Sequence, residues 1–365
     1  MKLFTIGPVE MYPSTRVIRD KGFPHFRTDE YSDVVNKTLG KISEYLGLKA
    51  KDALIYMACS GTGAMEATVE NCVTHQDKAL VVNGGTFGHR FCELLKWHKI
   101  PYESIDLKWN ETLTQEHLNK YENAGFTTLF VNLHETSTGQ LYNIQMLSDF
   151  AKRNNLMLIV DAISTFLADP YDVNKYSIDV TIFSSQKGLC CSPGMSLVAF
   201  SERMIEKINQ NPVPVSLYFD YKDYLINIPR GQTPFTPPVC VMFEIQDMVN
   251  IIEQEGGLNG RLNLIKEKCK YFRNKALELG LKIPDYPLSN MLTPLVFDDV
   301  NAYEVIQILK NKYKYYVNPC GGELATKLLR VSHIGHTTIN DIDDLLEKIM
   351  LSIKEVKEKE LSLAK

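Results

Sequence analysis

The chain has 365 residues, 44% hydrophobic and 23% charged, with a formal net charge of −4. That length supports a large core divided between two domains. The near-neutral, slightly acidic balance excludes the electrostatic footprint of a nucleic-acid-binding protein or of one held on an anionic membrane.

The opening segment MKLFTIGPVEMYPSTR has too short an apolar run for a signal peptide, and no stretch approaches the roughly 18 apolar residues of a membrane span. Short β-rich runs then alternate with amphipathic segments, as in a mostly parallel sheet wrapped by helices. ALIYMA (53–58) reads as a strand and GAMEATVENCV (63–73) as a helix. KALVVN (78–83) is a strand, followed by a helix through HRFCELLKWH (89–98). TTLFVNL (127–133) precedes a helix in which Ile144, Leu147, Phe150 and Ala151 share one face. LMLIVDA (156–162) is apolar until Asp161, as a strand covered on both faces should be, and DVTIFSS (179–185) completes the series. The texture changes near IEQEGGLNGR (252–261). Beyond it come a long helix (264–280), a strand-like run (290–297), another helix, the strand-like KLLRVSHIG (327–335) and a last helix from about Asn340. That helix carries Ile342, Leu345, Leu346, Ile349, Met350 and Ile353 on one stripe. The organisation expected is an N-terminal segment 1–20 packed near the active site and the small domain, a large domain 21–255 and a smaller α/β domain 256–365.

In open parallel sheets, ligands bind at the carboxyl ends of the strands. CSGTGAME (59–66), GGTFGH (84–89), HETSTG (134–139), Asp161 and Lys187 all follow strand-like runs and would converge there. The amides of the first loop, with the hydroxyls of Ser60 and Thr62, suit a phosphate at the positive end of the next helix; a plain tight turn is the competing explanation. The loop nearly matches GxGxxG, but Glu66 takes the third glycine position, and no GK[ST] follows. Asp161 is either a loop cap or the partner of a protonated heterocycle, as pyridoxal phosphate requires at its ring nitrogen. Lys187, 26 positions later, is either a solvated loop lysine or a Schiff-base amine that can also move an α-proton. Phe87 is a core side chain or an aromatic floor for a planar ring, and Arg330 a structural ion pair or a fork for a substrate carboxylate. The eight cysteines form no CxxC pair, and adjacent Cys190 and Cys191 suit neither two zinc ligands nor an ordinary disulfide. No metal site is expected, and reduced thiols in a cytoplasmic protein are the simpler reading.

The ordered motifs SGTGAMEA, TFG, ETSTG, VDAIS, SSQK, RGQTPFTPP and RVSHIG resemble the class V aminotransferases of fold type I. Within them the chain is similar to the alanine/serine–glyoxylate (or pyruvate) and the 2-aminoethylphosphonate–pyruvate transaminases. The resemblance runs from IGPVE at 6–10 to RVSHIG at 330–335. It implies a fold type I transferase, with a mostly parallel seven-stranded sheet and a smaller C-terminal α/β domain. It also implies pyridoxal 5'-phosphate as cofactor, a homodimer with active sites at the subunit interface, and a small amino donor with a keto-acid acceptor. Carried over by motif, Ser60, Gly61, Thr62 and Gln186 hold the phosphate, and Phe87 and Ile163 flank the ring. Thr136 lies near the ring oxygen, Asp161 pairs with the ring nitrogen, and Lys187 forms the Schiff base. Thr236, with Thr233, reaches the phosphate of the neighbouring subunit, and Arg330 grips the substrate carboxylate. Thr62, Phe87 and Thr136 stand where relatives often carry histidine, tryptophan and serine.

Three rivals remain. A cysteine desulfurase calls for histidines where Gln186 and Phe87 stand, and its thiol would have to be Cys320, a loop cysteine expected to lack an activating cation. A nucleotide-binding dehydrogenase fails on Glu66 and leaves Lys187 and Asp161 unexplained. A silent binding protein on the same fold would have no reason to retain every cofactor position.

Overall fold

The apolar runs form strands because alternate residues find different apolar layers. In the computed structural model, which describes residues 1–363, β1 (Lys2–Phe4) stands apart from the rest of the first half. Then follow β2 (Ala53–Met57), β3 (Ala79–Asn83), β4 (Tyr102–Asp106) and β5 (Thr128–Asn132). A two-residue-per-arm hairpin, β6 (His134–Glu135) and β7 (Gln140–Leu141), precedes β8 (Met157–Asp161), β9 (Val180–Ser184) and β10 (Ser196–Phe200). The C-terminal strands are β11 (Leu292–Val296), β12 (Tyr315–Pro319) and β13 (Leu328–Ser332).

Seven strands make one sheet in the order β2-β10-β9-β8-β5-β3-β4. β10 runs antiparallel to both its neighbours, and the other pairs are parallel. Leu80, Val82, Leu129, Val131, Leu158 and Val160 join one apolar cluster, while Val81, Phe130 and Ile159 between them join another. The sheet is therefore buried on both faces, as parallel sheets require. A second sheet, β1-β12-β13-β11, packs against the final helix Ile339–Leu363. There Ile342, Leu345, Leu346 and Ile349 are buried with Phe4, Leu295, Val317 and Val331, and Met350 and Ile353 pack at the margin.

Four strands depart from the sequence expectation. β4 is a half-polar edge strand, YESID, whose alternation carries little apolar signal. β1 and β12 pair with each other across more than 300 residues, so neither is legible locally. β10 lies just beyond Lys187 and turns the chain back into the sheet. Two helices also start earlier than their apolar periodicity indicates: α1 spans Gly61–Cys72 and α2 spans Thr86–Trp97. In each case a polar group satisfies the first-turn amides: the Ser60 hydroxyl for α1, and, for α2, the carboxylate of Glu135 from a different element.

Candidate active site

The carboxyl ends of β2, β3, β5, β8 and β9 surround a cavity of about 190 Å³. Ser60, Gly61 and Thr62 enter it from the start of α1, and Phe87 from the start of α2. Thr136 comes from the β6–β7 turn, Asp161 and Ile163 from the end of β8, and Gln186 and Lys187 from the loop after β9. A larger groove of about 570 Å³ lies at the opposite, amino ends of the strands, by Asp52, Leu156 and Asp179, and carries none of these residues.

Ser60 is the N-cap of α1, its Oγ accepting from Gly63 N at 3.3 Å. Gly61 is required by close approach: a Cβ there would stand 2.5 Å from Ile163 Cδ1 and 3.0 Å from Ser184 Oγ. The register of β5 on β8 sets Asn132 opposite Asp161. Asp161 Oδ1 accepts from Ile163 N at 2.8 Å, while Oδ2, also buried, has no partner. Burial pushes this carboxyl up to about 7, against the hydrogen bond from Ile163 N, the neighbouring Asn132 amide and the charge of Lys187. Burial lowers the Lys187 amine to about 8, helped by Arg330 and opposed by Asp161. The lysine stem runs along Gly7, where a Cβ would come within 2.7 Å of Lys187 Cδ.

Arg330, on β13, does not line the cavity. Its Nη1 donates to the Thr136 carbonyl at 2.6 Å and its Nη2 to the Pro319 carbonyl, and Nε has no partner. The guanidinium is thus held by two neutral acceptors beside the Thr136 wall, with charge left for an anion. Thr233 and Thr236 also lie outside the cavity. Thr233 is buried, its hydroxyl donating to Phe235 O at 2.7 Å, whereas Thr236 is exposed. Arg27 braces their loop through Gln232 Oε1 and the carbonyls of Thr233 and Pro234.

Five residues were not anticipated. Gly7, Met65, Asn132 and Ser164 line the cavity, and Glu135 lies behind it. Ser164 Oγ pairs with Thr136 Oγ1 at 2.6 Å. His134 Nδ1 donates to Ser164 O at 2.8 Å, and burial lowers this imidazole to about 3, so it is neutral. Asn132 was detectable in principle, since it ends the strand-like run next in the sheet to the one ending at Asp161. Two cysteine expectations gain detail. Cys320 does have a cation beside it, Arg330, yet burial dominates and pushes its thiol up; the thiol donates to Ser137 O at 3.4 Å. Cys190 and Cys191 are both buried, and Cys190 Sγ lies 3.2 Å from Arg261 Nη2.

An amine and a carboxylate facing one cavity between two helix N-termini can hold a phosphorylated, aldehyde-bearing heteroaromatic. Comparison with solved structures places the architecture among the fold type I pyridoxal-phosphate-dependent aminotransferases. The alanine–glyoxylate aminotransferase of Nostoc sp. superposes with a TM-score of 0.89 at 24% identity, over 96% of this chain and 94% of that one. The family model for aminotransferase class V matches residues 17–345, and the chain belongs to that family. An uncharacterized aminotransferase of Helicobacter pylori (strain ATCC 700392 / 26695) is 29% identical over 92% of this chain and 89% of its own length. The 2-aminoethylphosphonate–pyruvate transaminase of Vibrio vulnificus (strain YJ016) is 27% identical over 82% and 79%.

Proposed function

We propose that the protein is a pyridoxal 5'-phosphate-dependent transaminase. It would move an amino group from a small donor of the alanine, serine or 2-aminoethylphosphonate type to pyruvate or glyoxylate. The observation that carries this reading is the pairing, across one cavity, of a buried amine lowered to about 8 with a buried carboxylate that has one free oxygen. Bound pyridoxal phosphate supplies the electron sink that transamination needs once its ring nitrogen is protonated.

The residues present fit that group. The unpartnered Asp161 Oδ2 would hold the proton at the ring nitrogen, and meeting that cation would offset part of the cost of its own burial. The α1 amides, Ser60, Thr62 and Gln186 hold the phosphate, Phe87 and Ile163 enclose the ring, and Thr136 orients it. Lys187 would supply the amine that anchors the cofactor and the base that takes and returns the α-proton. Arg330 receives the substrate carboxylate. Division into an N-terminal segment 1–20, a large unit 21–255 and a small unit 256–365 agrees with the two sheets, the segment reaching the cavity through Gly7.

The working form is a homodimer in the cytoplasm, with Thr236 and Thr233 offered to the neighbouring site. Exposed Thr236 and the exposed apolar side chains of Val213, Val215, Leu217 and Ile226 support that assembly, and the eight free cysteines agree with a reducing compartment. No described helix is long and apolar enough to cross a membrane. A narrower reading, 2-aminoethylphosphonate as the donor, is favoured by the likeness to the Vibrio vulnificus transaminase. The test is a panel of alanine, serine, aspartate and 2-aminoethylphosphonate against pyruvate and glyoxylate, with Lys187→Ala as control. Transfer by the wild type and loss of the borohydride-sensitive visible band in the variant are expected. A wild type that transfers from no donor overturns the reaction; a Lys187→Ala protein that keeps the band overturns the site.

A further inference from the structure

Glu135 is completely buried, yet its carboxylate is met by N–H and O–H donors rather than by a salt bridge. Oε2 accepts from Phe87 N at 3.2 Å and Gly88 N at 3.0 Å; Oε1 accepts from Ser137 N at 3.1 Å and Ser137 Oγ at 2.5 Å. The first two donors are the opening amides of α2, whose N-cap, Gly85, makes no side-chain cap. A Cβ on Gly85 would stand 2.6 Å from the carboxyl carbon, so the cap position is left bare for a carboxylate delivered from 48 residues away. The positive end of α2 and these donors keep the charge there at tolerable cost.

Two parts of the site hang from this one group. Upstream of it in the chain, Phe87 carries its ring into the cavity from an amide that Glu135 holds. Downstream, Thr136 lines the cavity and its carbonyl anchors Arg330. We infer that Glu135 is a positioning residue, fixing the Phe87 ring against the cofactor and the Arg330 guanidinium against the substrate carboxylate in one mutual register. The inference rests on the transaminase reading above. Glutamine cannot substitute: each carboxylate oxygen faces at least one backbone N–H, so an amide group opposes a donor whichever way it turns. Aspartate is too short to span the two segments.

Glu135→Gln, and Ser137→Ala as a milder variant that removes one donor to Oε1, test the assignment. Expected for Glu135→Gln is a rise of about tenfold or more in KM for the keto acid and a similar loss of affinity of the stripped protein for pyridoxal phosphate. kcat should change by less than about fivefold, the circular dichroism of the bound cofactor should change, and Ser137→Ala should shift KM and affinity the same way by about threefold. In cofactor-free Glu135→Gln, amide exchange should accelerate selectively at 86–90 and 134–139. A merely structural glutamate would lower the melting temperature and the folded yield while leaving KM, affinity and the cofactor spectrum unchanged per folded molecule, and that result overturns the inference. Should Glu135→Gln not fold, unchanged KM and affinity in Ser137→Ala overturn it equally. A wild type that binds no pyridoxal phosphate overturns this inference and the proposed function together; a wild type that binds and transaminates beside indifferent variants sinks the inference alone.

Discussion

Replacing Asp161 by asparagine should make the cofactor-free protein more stable at alkaline pH while weakening its hold on pyridoxal phosphate. The carboxyl is fully enclosed, one oxygen lacks a partner, and burial moves it from its ordinary 3.8 to about 7. At about 1.4 kcal/mol per pH unit, that displacement is worth about 4 kcal/mol between the two protonation states. The folded-state value is raised, so the stabilisation from proton uptake is complete below the unfolded value and is lost as pH rises through about 7. Between pH 5 and pH 8 the wild type should therefore lose on the order of 2–3 kcal/mol relative to Asp161→Asn, whose amide does not titrate. Urea denaturation of both stripped proteins at several pH values measures the difference, and the common response of all other groups largely cancels. A gap between the two proteins that stays constant from pH 5 to pH 8 would refute the idea that this carboxylate is buried at a cost. Titration of the same proteins with pyridoxal phosphate should show the opposite order, the variant binding about tenfold or more weakly.

Gly61→Ala should cost about 1–3 kcal/mol of stability through the 2.5 Å approach to Ile163 Cδ1, and adding Ile163→Val should recover part of it; strictly additive single and double variants would show that the two atoms do not collide. With Lys187 lowered to about 8, reconstitution by pyridoxal phosphate should quicken by about tenfold per pH unit up to that value and level off above it, as the neutral amine becomes the main form; a rate flat from about pH 6 to 9 contradicts this. Val215→Asp places a charge on an apolar side chain that is 92% exposed, and sedimentation should show dimers turning to monomers. An unchanged dimer would move the interface elsewhere.

The sheet was legible in the sequence at β2, β3, β5, β8 and β9, where burial on two sides leaves an unbroken apolar run such as LMLIV, although β10, equally buried, was not anticipated. It was not legible at β4, whose outer edge is solvated, or at β1, whose partner lies at the other end of the chain. The cavity follows the same division. Lys187, Asp161 and the Ser60–Thr62 loop stand out through their shared place at successive strand ends, although each alone has an ordinary structural explanation. Asn132 and Ser164 look like ordinary polar residues, and only the register of β5 on β8 and the turn after Asp161 bring them to the cavity. Glu135 lies within HETSTG, yet nothing local marks it, since its partners belong to a helix start far upstream. Thr233 and Thr236 were identified by motif, and within one chain they stand away from the cavity.

The lysine loop is held at both ends by the same pair of strands. β9 leads into it and β10 leads out, bonded to each other across five residue pairs, and Ser185 N donates to Met195 O at 3.0 Å where the loop closes. The backbone beneath Lys187 is accordingly a fixed pivot. Repositioning the amine falls to the side-chain torsions rather than to rearrangement of the loop. A fixed pivot also means that a turnover-limiting backbone motion in this protein would belong to other segments.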